Sequence, residues 1–367
     1  MSYVILFLFI VFLLFLAFFY LNPQFGGSVT SHRKSSYSKS KNWDGKQFTN
    51  LVETSMDVSL KTMPKLLKAQ FTDREERSPK VPIPILSFDE RAFESETNKP
   101  KFIWYGHSVL LLQMNGKNIL IDPMLGPDAA PIAPFPSKRF SENSLDVIDQ
   151  LPKIDLLLMT HDHYDHLDLA SMRRLKDKVS HIYCSLGIRR HLDRWGFKSH
   201  TIREFDWWED ADFHGIAITF TPSRHFSGRG LNDRAKCLWG GWVFTSKDHR
   251  IYWSGDGGYG AHFKEVGEKL GPFHWTFIEN GQYNKLWHQI HLQPEEAVQA
   301  AIDARSNKVI AVHWAGFALA LHPWKESIER FVKEAEKRHL TVCTPKIGEV
   351  VLWDQEPVNA HWWEQLD

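Results

Sequence analysis

The nine residues Thr160-His161-Asp162-His163-Tyr164-Asp165-His166-Leu167-Asp168 carry three imidazoles and three carboxylates, and they directly follow an apolar run, Ile154-Asp155-Leu156-Leu157-Leu158-Met159. A short run this rich in Leu and Ile predicts a buried strand. The polar cluster therefore begins where a strand ends, at the sheet edge where open α/β folds bind ligands. Its pattern is H-x-H-x-D-H. His161 and His163 alternate on extended backbone and point the same way, while Asp165 and His166 lie a turn further on, where they can serve a second ion. A mixed His/Asp set without thiolate suits zinc, and iron or manganese is compatible with the same donors. The competing reading is a helix start capped by Asp162 or Asp165, with the histidines merely exposed. Capping needs a single acid and explains none of the three histidines.

The pattern repeats along the chain. Phe102-Ile103-Trp104 and Val109 to Met114 are strand-like, Asn115-Gly116 signals a hairpin, and Lys117 to Asp122 returns, so a β-meander opens the domain. Leu167 to Lys178 and Gly187 to Trp195 predict helices. His181 to Cys184, Ala217 to Pro222, Trp239 to Thr245, Arg250 to Ser254 and Lys308 to Val312 predict strands. Several of these run into an acid or imidazole: His161 after Thr160, His225 after Pro222, Asp256 after Ser254 and His313 after Val312. A lone histidine is more often a core or surface residue than a ligand, but such a set of strand ends in one domain is hard to assign to chance. Asp256 is flanked by glycines, which allow close backbone approach to a ligand.

From Tyr3 to Leu21 the chain has no charged residue, and as a helix this stretch is roughly 28 Å long, enough to cross a hydrocarbon core. A cleaved signal peptide is the rival reading. No Lys or Arg precedes the run and no small-x-small site follows it, which favours an uncleaved single-pass anchor. Arg33, Lys34, Lys39, Lys41 and Lys46 follow it, placing the rest of the chain on the cytoplasmic side. Gly26 to Lys46 predicts a polar tether. Asn50 to Gln70, with Leu51, Val52, Met56, Val58, Leu60, Met63, Leu66 and Leu67 among lysines, predicts a helical stretch interrupted at Pro64. Arg74 to Pro84 reads as a loop. The expected division is an anchor over 1–22, a tether and N-terminal extension over 23–100, and a catalytic domain over 101–367.

Forty-four Lys and Arg balance 44 Asp and Glu, so no global field recruits nucleic acid, and no basic stripe suits a nuclease. Cys184, Cys237 and Cys343 lie far apart, against a disulfide scaffold or thiolate zinc site. Fifteen Trp and 25 Phe fit a bulky aromatic core or a membrane-facing surface. Oligomeric state is not legible.

The chain resembles the metallo-β-lactamase superfamily, whose H-x-H-x-D-H motif is matched by His161, His163, Asp165 and His166. It is similar in particular to the branch of N-acylphosphatidylethanolamine-hydrolysing phospholipases D, through Trp104-Tyr105-Gly106-His107, Asp122-Pro123, Asp206-Trp207-Trp208-Glu209, Gly255-Asp256-Gly257-Gly258-Tyr259, Pro294-Glu295-Glu296-Ala297 and His313-Trp314. The resemblance spans about Lys101 to Trp353. It implies an α/β fold, an αββα sandwich of metallo-β-lactamase type, here with an N-terminal transmembrane helix. It also implies two zinc ions, one held by His161, His163 and His225, the other by Asp165, His166 and His313, with Asp256 bridging. His291 occupies the place of a further histidine of the branch, either touching substrate or serving only as a helix-entry residue before Pro294. The segments after His225 and after His313-Trp314 depart from the branch, which touches acyl-ethanolamine specificity more than metal binding.

Two nearby metals activate a water for attack on an ester. Asp165 and Asp256 are ligands first, and Asp165 can also orient that water. Arg224, Arg229 and Lys138 are candidate phosphate contacts by charge alone, and solvated surface is the plainer reading of each. Three functions follow: an anchored phospholipase D with a phospholipid substrate, a hydrolase of a small soluble ester or lactone, and a non-catalytic metal-containing lipid-binding protein. The complete ligand set argues against the last.

Overall fold

The computed structural model describes residues 2–59, 61–72, 76–96, 99–132, 136–355 and 358–366. Leu60 and Arg74, named above, lie outside them. The N-terminal part carries the helices α1 (Ser2–Leu21), α2 (Ser31–Tyr37), α3 (Met63–Thr72) and α4 (Glu90–Glu94). Then come β1 (Lys101–Trp104), β2 (Leu110–Met114), β3 (Lys117–Ile121), α5 (Val147–Gln150), β4 (Ile154–Met159), α6 (Leu169–Leu175), β5 (Val179–Ser185), α7 (Arg189–Arg194) and β6 (Ile202–Phe205). The second half holds β7 (Asp210–Phe213), β8 (Ile216–Thr221), β9 (Gly241–Thr245), β10 (Arg250–Trp253), α8 (His262–Lys269), β11 (Phe273–Glu279), α9 (Pro294–Asp303), β12 (Ser306–Val312), α10 (Glu326–Lys337), β13 (Thr341–Val342) and β14 (Val350–Leu352).

The strands form two seven-stranded sheets, ordered β14-β1-β2-β3-β4-β5-β6 and β13-β12-β11-β10-β9-β8-β7. Alternation along the strands shows how they are layered. In β4, Leu156 and Leu158 join the large cluster between the sheets, whereas Leu157 and Met159 join the cluster under Ile148, Met172, Leu175 and Leu192 of α5, α6 and α7. Both faces are buried, which is why this strand reads as a continuous apolar run, and each leucine contributes about 2 kcal/mol by leaving water. Helices cover both outer faces, giving the expected αββα sandwich. The abundant tryptophans serve the core: Trp104, Trp239, Trp242, Trp253, Trp275 and Trp363 are all buried. So are the three free cysteines.

Strand direction collects the polar residues on one edge. β1 and β3 each pair antiparallel with β2, and β4 pairs parallel with β3. Likewise β8 and β10 each pair antiparallel with β9, and β11 and β12 continue parallel to β10. All of these nine strands except β2 and β9 end on the same rim, so the loops bearing His107, Asp122, His161, His225, Asp256 and His313 meet there.

The N-terminal segment differs from the expected tether. Tyr37, Trp43 and Phe48 are buried and pack on one another with ring centroids 4.9 to 5.4 Å apart. Gly26 and Gly27 lie flush on α7: a Cβ would come 1.7 Å from His191 Nδ1 at the first and 2.0 Å from the Arg190 carbonyl at the second. Composition suggested flexibility, but these glycines are required by close approach. Pro64 does not interrupt a helix; it is the second residue of α3, a position where its missing N–H costs nothing. Helix α1 exposes its apolar side chains all round, and Tyr3–Leu21 is long and apolar enough to span a membrane.

Candidate metal centre

Each of the expected donors sits in a loop leaving a strand of the shared rim, and the sandwich brings all of them together, with His291 beside them. His161 Nε2 lies 2.9 Å and His225 Nε2 3.2 Å from His163 Nδ1. Asp256 Oδ2 lies 3.0 Å from His166 Nε2, 3.2 Å from His313 Nε2 and 4.0 Å from His225 Nε2, so it faces both halves of the cluster. Asp165 Oδ2 lies 3.7 Å from His166 Nε2 and 3.9 Å from His313 Nε2. All of these side chains are buried apart from partial openings at His163 and Asp165. The helix after the motif is capped by neither Asp162 nor Asp165. Asp168 does this, accepting from the Ser171 and Ala170 amides.

The far nitrogens fix the near ones. Thr160 Oγ1 donates to Asp122 Oδ2 at 2.6 Å, so at 3.0 Å it accepts from His161 Nδ1–H. His225 Nδ1–H donates to the Ile290 carbonyl at 2.9 Å, and His166 Nδ1–H to Asp122 Oδ2 at 3.0 Å. The rings of His161 and His225 are thereby left with an Nε2 lone pair aimed at the centre, and His166 turns its Nε2 toward Asp256 and Asp165. Lone pairs of imidazole and carboxylate converging to about 3 Å repel one another unless a cation lies among them. The donor set fits metal ions, as two groups, His161, His163 and His225, and His107, Asp165, His166 and His313, joined by a third, His161, His166 and Asp256.

The ionisation directions express the same crowding. Burial lowers His161, His225 and His313 well below the ordinary histidine value, and it pushes Asp256 up to about 6. His166 goes the other way: burial opposes its charge, but Asp256 and Asp165 hold it well above the ordinary range.

Several residues here carry no role in the sequence reading. His107 Nε2 lies 3.0 Å from Asp165 Oδ2, and its ring centroid is 4.2 Å from that of His313. The two histidine loops exchange backbone bonds, His107 N–H to the Trp314 carbonyl and His313 N–H to the His107 carbonyl. Asp122 orients His166. Glu279, at the end of β11, accepts from His291 Nδ1–H at 2.7 Å, and burial raises its pKa well above the ordinary carboxylate value. The only hint was local: His107 and Asp122 lie in short stretches at strand ends.

His291 joins Asp256, His163 and His313 around a cavity of about 190 Å³ at the mouth, with Met56, Phe226, Trp287, Ile290 and Leu319 as apolar walls. None of the three candidate phosphate cations lines it. Arg224 instead holds the N-terminal extension, donating to Thr54 Oγ1 and the Glu53 carbonyl. Arg229 is not surface: it is buried and donates to the Asp162, Leu167 and Gln24 carbonyls. Lys138 is exposed beside another cavity.

The model of the "Beta-lactamase superfamily domain" family matches residues 117–314. An uncharacterized protein of Mycobacterium tuberculosis is 34% identical over 92% of this chain and 91% of its own length. An N-acyl-phosphatidylethanolamine-hydrolyzing phospholipase D of Caenorhabditis elegans is 29% identical over 84% of this chain and 89% of its own. Among solved structures, a metallo hydrolase from Ignicoccus hospitalis superposes with a TM-score of 0.54 at 22% identity, covering 70% of this chain and 99% of that one.

Proposed function

The chain belongs to the beta-lactamase superfamily, with its metallo-hydrolase fold and di-metal site, and from that premise we propose that it is a membrane-anchored phosphodiesterase of the phospholipase D type. It cleaves N-acylphosphatidylethanolamine to phosphatidic acid and an N-acylethanolamine. The observation that carries this reading is the mouth itself: apolar walls descend onto a cluster of metal donors, with His291 at their junction. The C. elegans relative, aligned over most of both chains, supports the substrate class.

His161, His163 and His225 would hold one ion, Asp165, His166 and His313 the other, and Asp256 would face both. Zinc suits these donors, and iron or manganese fits the same set. A bound metal pair supplies Lewis acidity and a water of lowered pKa. The chain's own groups do the rest. Asp165, braced by His107 Nε2 at 3.0 Å, orients the attacking water, and Asp256 accepts hydrogen bonds from it. His291 keeps a proton on Nδ1 through Glu279, so its Nε2 touches the phosphoryl group or the departing oxygen. The apolar walls hold the lipid and exclude bulk water.

Helix α1 holds the enzyme in the bilayer, with the catalytic domain on the cytoplasmic side. A second reading, hydrolysis of a small ester or lactone, is favoured by one observation: no Lys or Arg lines the mouth among the described residues. Purified metal-replete protein offered a panel of phospholipids and lactones, with products identified by mass, separates the two. Release of phosphatidic acid with N-acylethanolamine is expected. Turnover of lactone alone would overturn the lipid reading.

A further inference from the structure

The foot of the anchor helix encloses a second cavity, of about 600 Å³, that shares no residue with the metal mouth. One wall is the helix itself, through Phe15 and Phe19, and the opposite wall is the loop 230–233. That loop presents Leu231 at 66% exposure, an apolar tip beside a helix apolar enough to span a bilayer. The domain grips this foot: Arg194 donates to the Tyr20 and Gly26 carbonyls at 2.7 Å each, and Trp195 Nε1–H donates to the Pro23 carbonyl. The cavity is therefore held at the level where a membrane's interfacial region meets the protein.

Its charges are one-sided. Among the described residues Lys34, Lys236, Arg190 and Arg194 line it with the one acid Asp233, and Arg190 is already paired with Asp162 and Asp233, which leaves Lys34, Lys236 and Arg194 as the cations facing the space. Asp233 is already engaged by the Arg229 and Gly230 amides. Lys34 is exposed. Burial first, and then the neighbouring charge of Lys34, push the Lys236 ammonium down, so the two lysines repel across a space that an anion would stabilise.

We propose that this cavity binds one anionic phospholipid of the surrounding bilayer, its phosphate between Lys34 and Lys236 and an acyl chain along Phe15, Phe19 and Leu231. An acyl chain packs on the apolar wall as it does on any lipid-facing helix, and lysines at the interface attract anionic headgroups. The proposal rests on α1 being a membrane anchor but not on the reaction catalysed, since binding here involves no turnover.

The test uses the full chain in nanodiscs of phosphatidylcholine, alone or mixed equally with phosphatidylglycerol, followed by detergent extraction and native mass spectrometry of retained lipid. Vesicle flotation reports the anchor separately. One phosphatidylglycerol per chain is expected in preference to phosphatidylcholine. Retention should fall roughly fivefold for each of Lys34→Ala and Lys236→Ala, with helicity and metal content unchanged. Soluble glycerophosphate should not displace the lipid. Equal retention of both lipids, undiminished retention in the double variant, full displacement by glycerophosphate, or a mature chain beginning after Leu21 would each overturn the proposal.

Discussion

Asp162 stands between His161 and His163 in sequence, yet its carboxylate turns away from the metal donors into a second buried cluster, with His191 and Cys237. By residue type the two clusters are alike. In the second, however, donors alternate with acceptors. Asp162 Oδ1 accepts from the Gly228 amide at 2.7 Å, and Oδ2 accepts from His191 Nε2–H at 3.1 Å and Arg190 Nη2–H at 3.3 Å. His191 Nδ1 accepts from the Gly27 amide at 3.1 Å. Burial and the Arg190 charge lower His191 to about 3, and burial pushes the Cys237 thiol well above its ordinary range. A guanidinium already supplies the positive charge, so this is a closed polar network. In the first cluster imidazole nitrogens and carboxylate oxygens converge on one another, with the far nitrogens of His161, His166 and His225 already bonded elsewhere. Which atoms converge, rather than which residues, separates a metal site from a structural one.

The largest effect expected from breaking this contrast lies on the metal side. Asp256→Ala or His163→Ala should lower turnover by on the order of a thousandfold, with circular dichroism little changed, because these side chains are held for a ligand rather than for the core. Near wild-type turnover with metal bound would remove that residue from the site.

On the other side the loss should be in folding. Arg190→Met strands the Asp162 carboxylate, which burial alone would protonate but which His191 and Arg190 hold ionised. Denaturant titration of chelated protein should show a loss of about 3–5 kcal/mol. An unchanged midpoint would mean that the network is not closed by Arg190.

Asp122→Asn tests the junction between the two kinds of chemistry, since Asp122 is saturated by Thr160 while fixing His166. Metal affinity should fall about 10–100-fold by competition with a chelator, with fold retained.

The smallest expected effect is a slope with pH. His191 and His262 are both lowered to about 3, burial being the first cause. Above the ordinary histidine pKa neither state is protonated and the contribution is level. As pH falls from about 6.5 toward 3, the unfolded chain takes up protons that the folded one refuses, so stability is lost by about 1.4 kcal/mol per pH unit for each residue. Replacing His191 by Gln should flatten that slope in chelated protein over this window. An unaltered slope would mean that His191 is protonated in the fold.

The metal half of the contrast was legible in the sequence because it is local: the H-x-H-x-D-H spacing, and single residues placed just beyond apolar strands. What stayed hidden depends on pairing across the sheets. His107 reaches Asp165 only because its loop bonds to Trp314, some two hundred positions away, and both His107 and His313 adopt left-handed backbone, at φ of 51° and 66°. No local pattern announces such a pairing. In sequence Gly26 and Gly27 fall in a polar tether, because composition records the freedom of glycine, not the surface pressed against it. In sequence Asp162 offers only a candidate helix cap, since the Arg190 that claims it arrives from another helix.

Metal content bears most directly on the claim that one cluster binds ions and the other does not. The full chain, purified gently without chelator, should carry about two equivalents of zinc or a related ion. Asp256→Ala should lower that number, and Cys237→Ala should leave it unchanged. A stoichiometry near zero in the wild-type chain, or a further equivalent lost with Cys237, would contradict it.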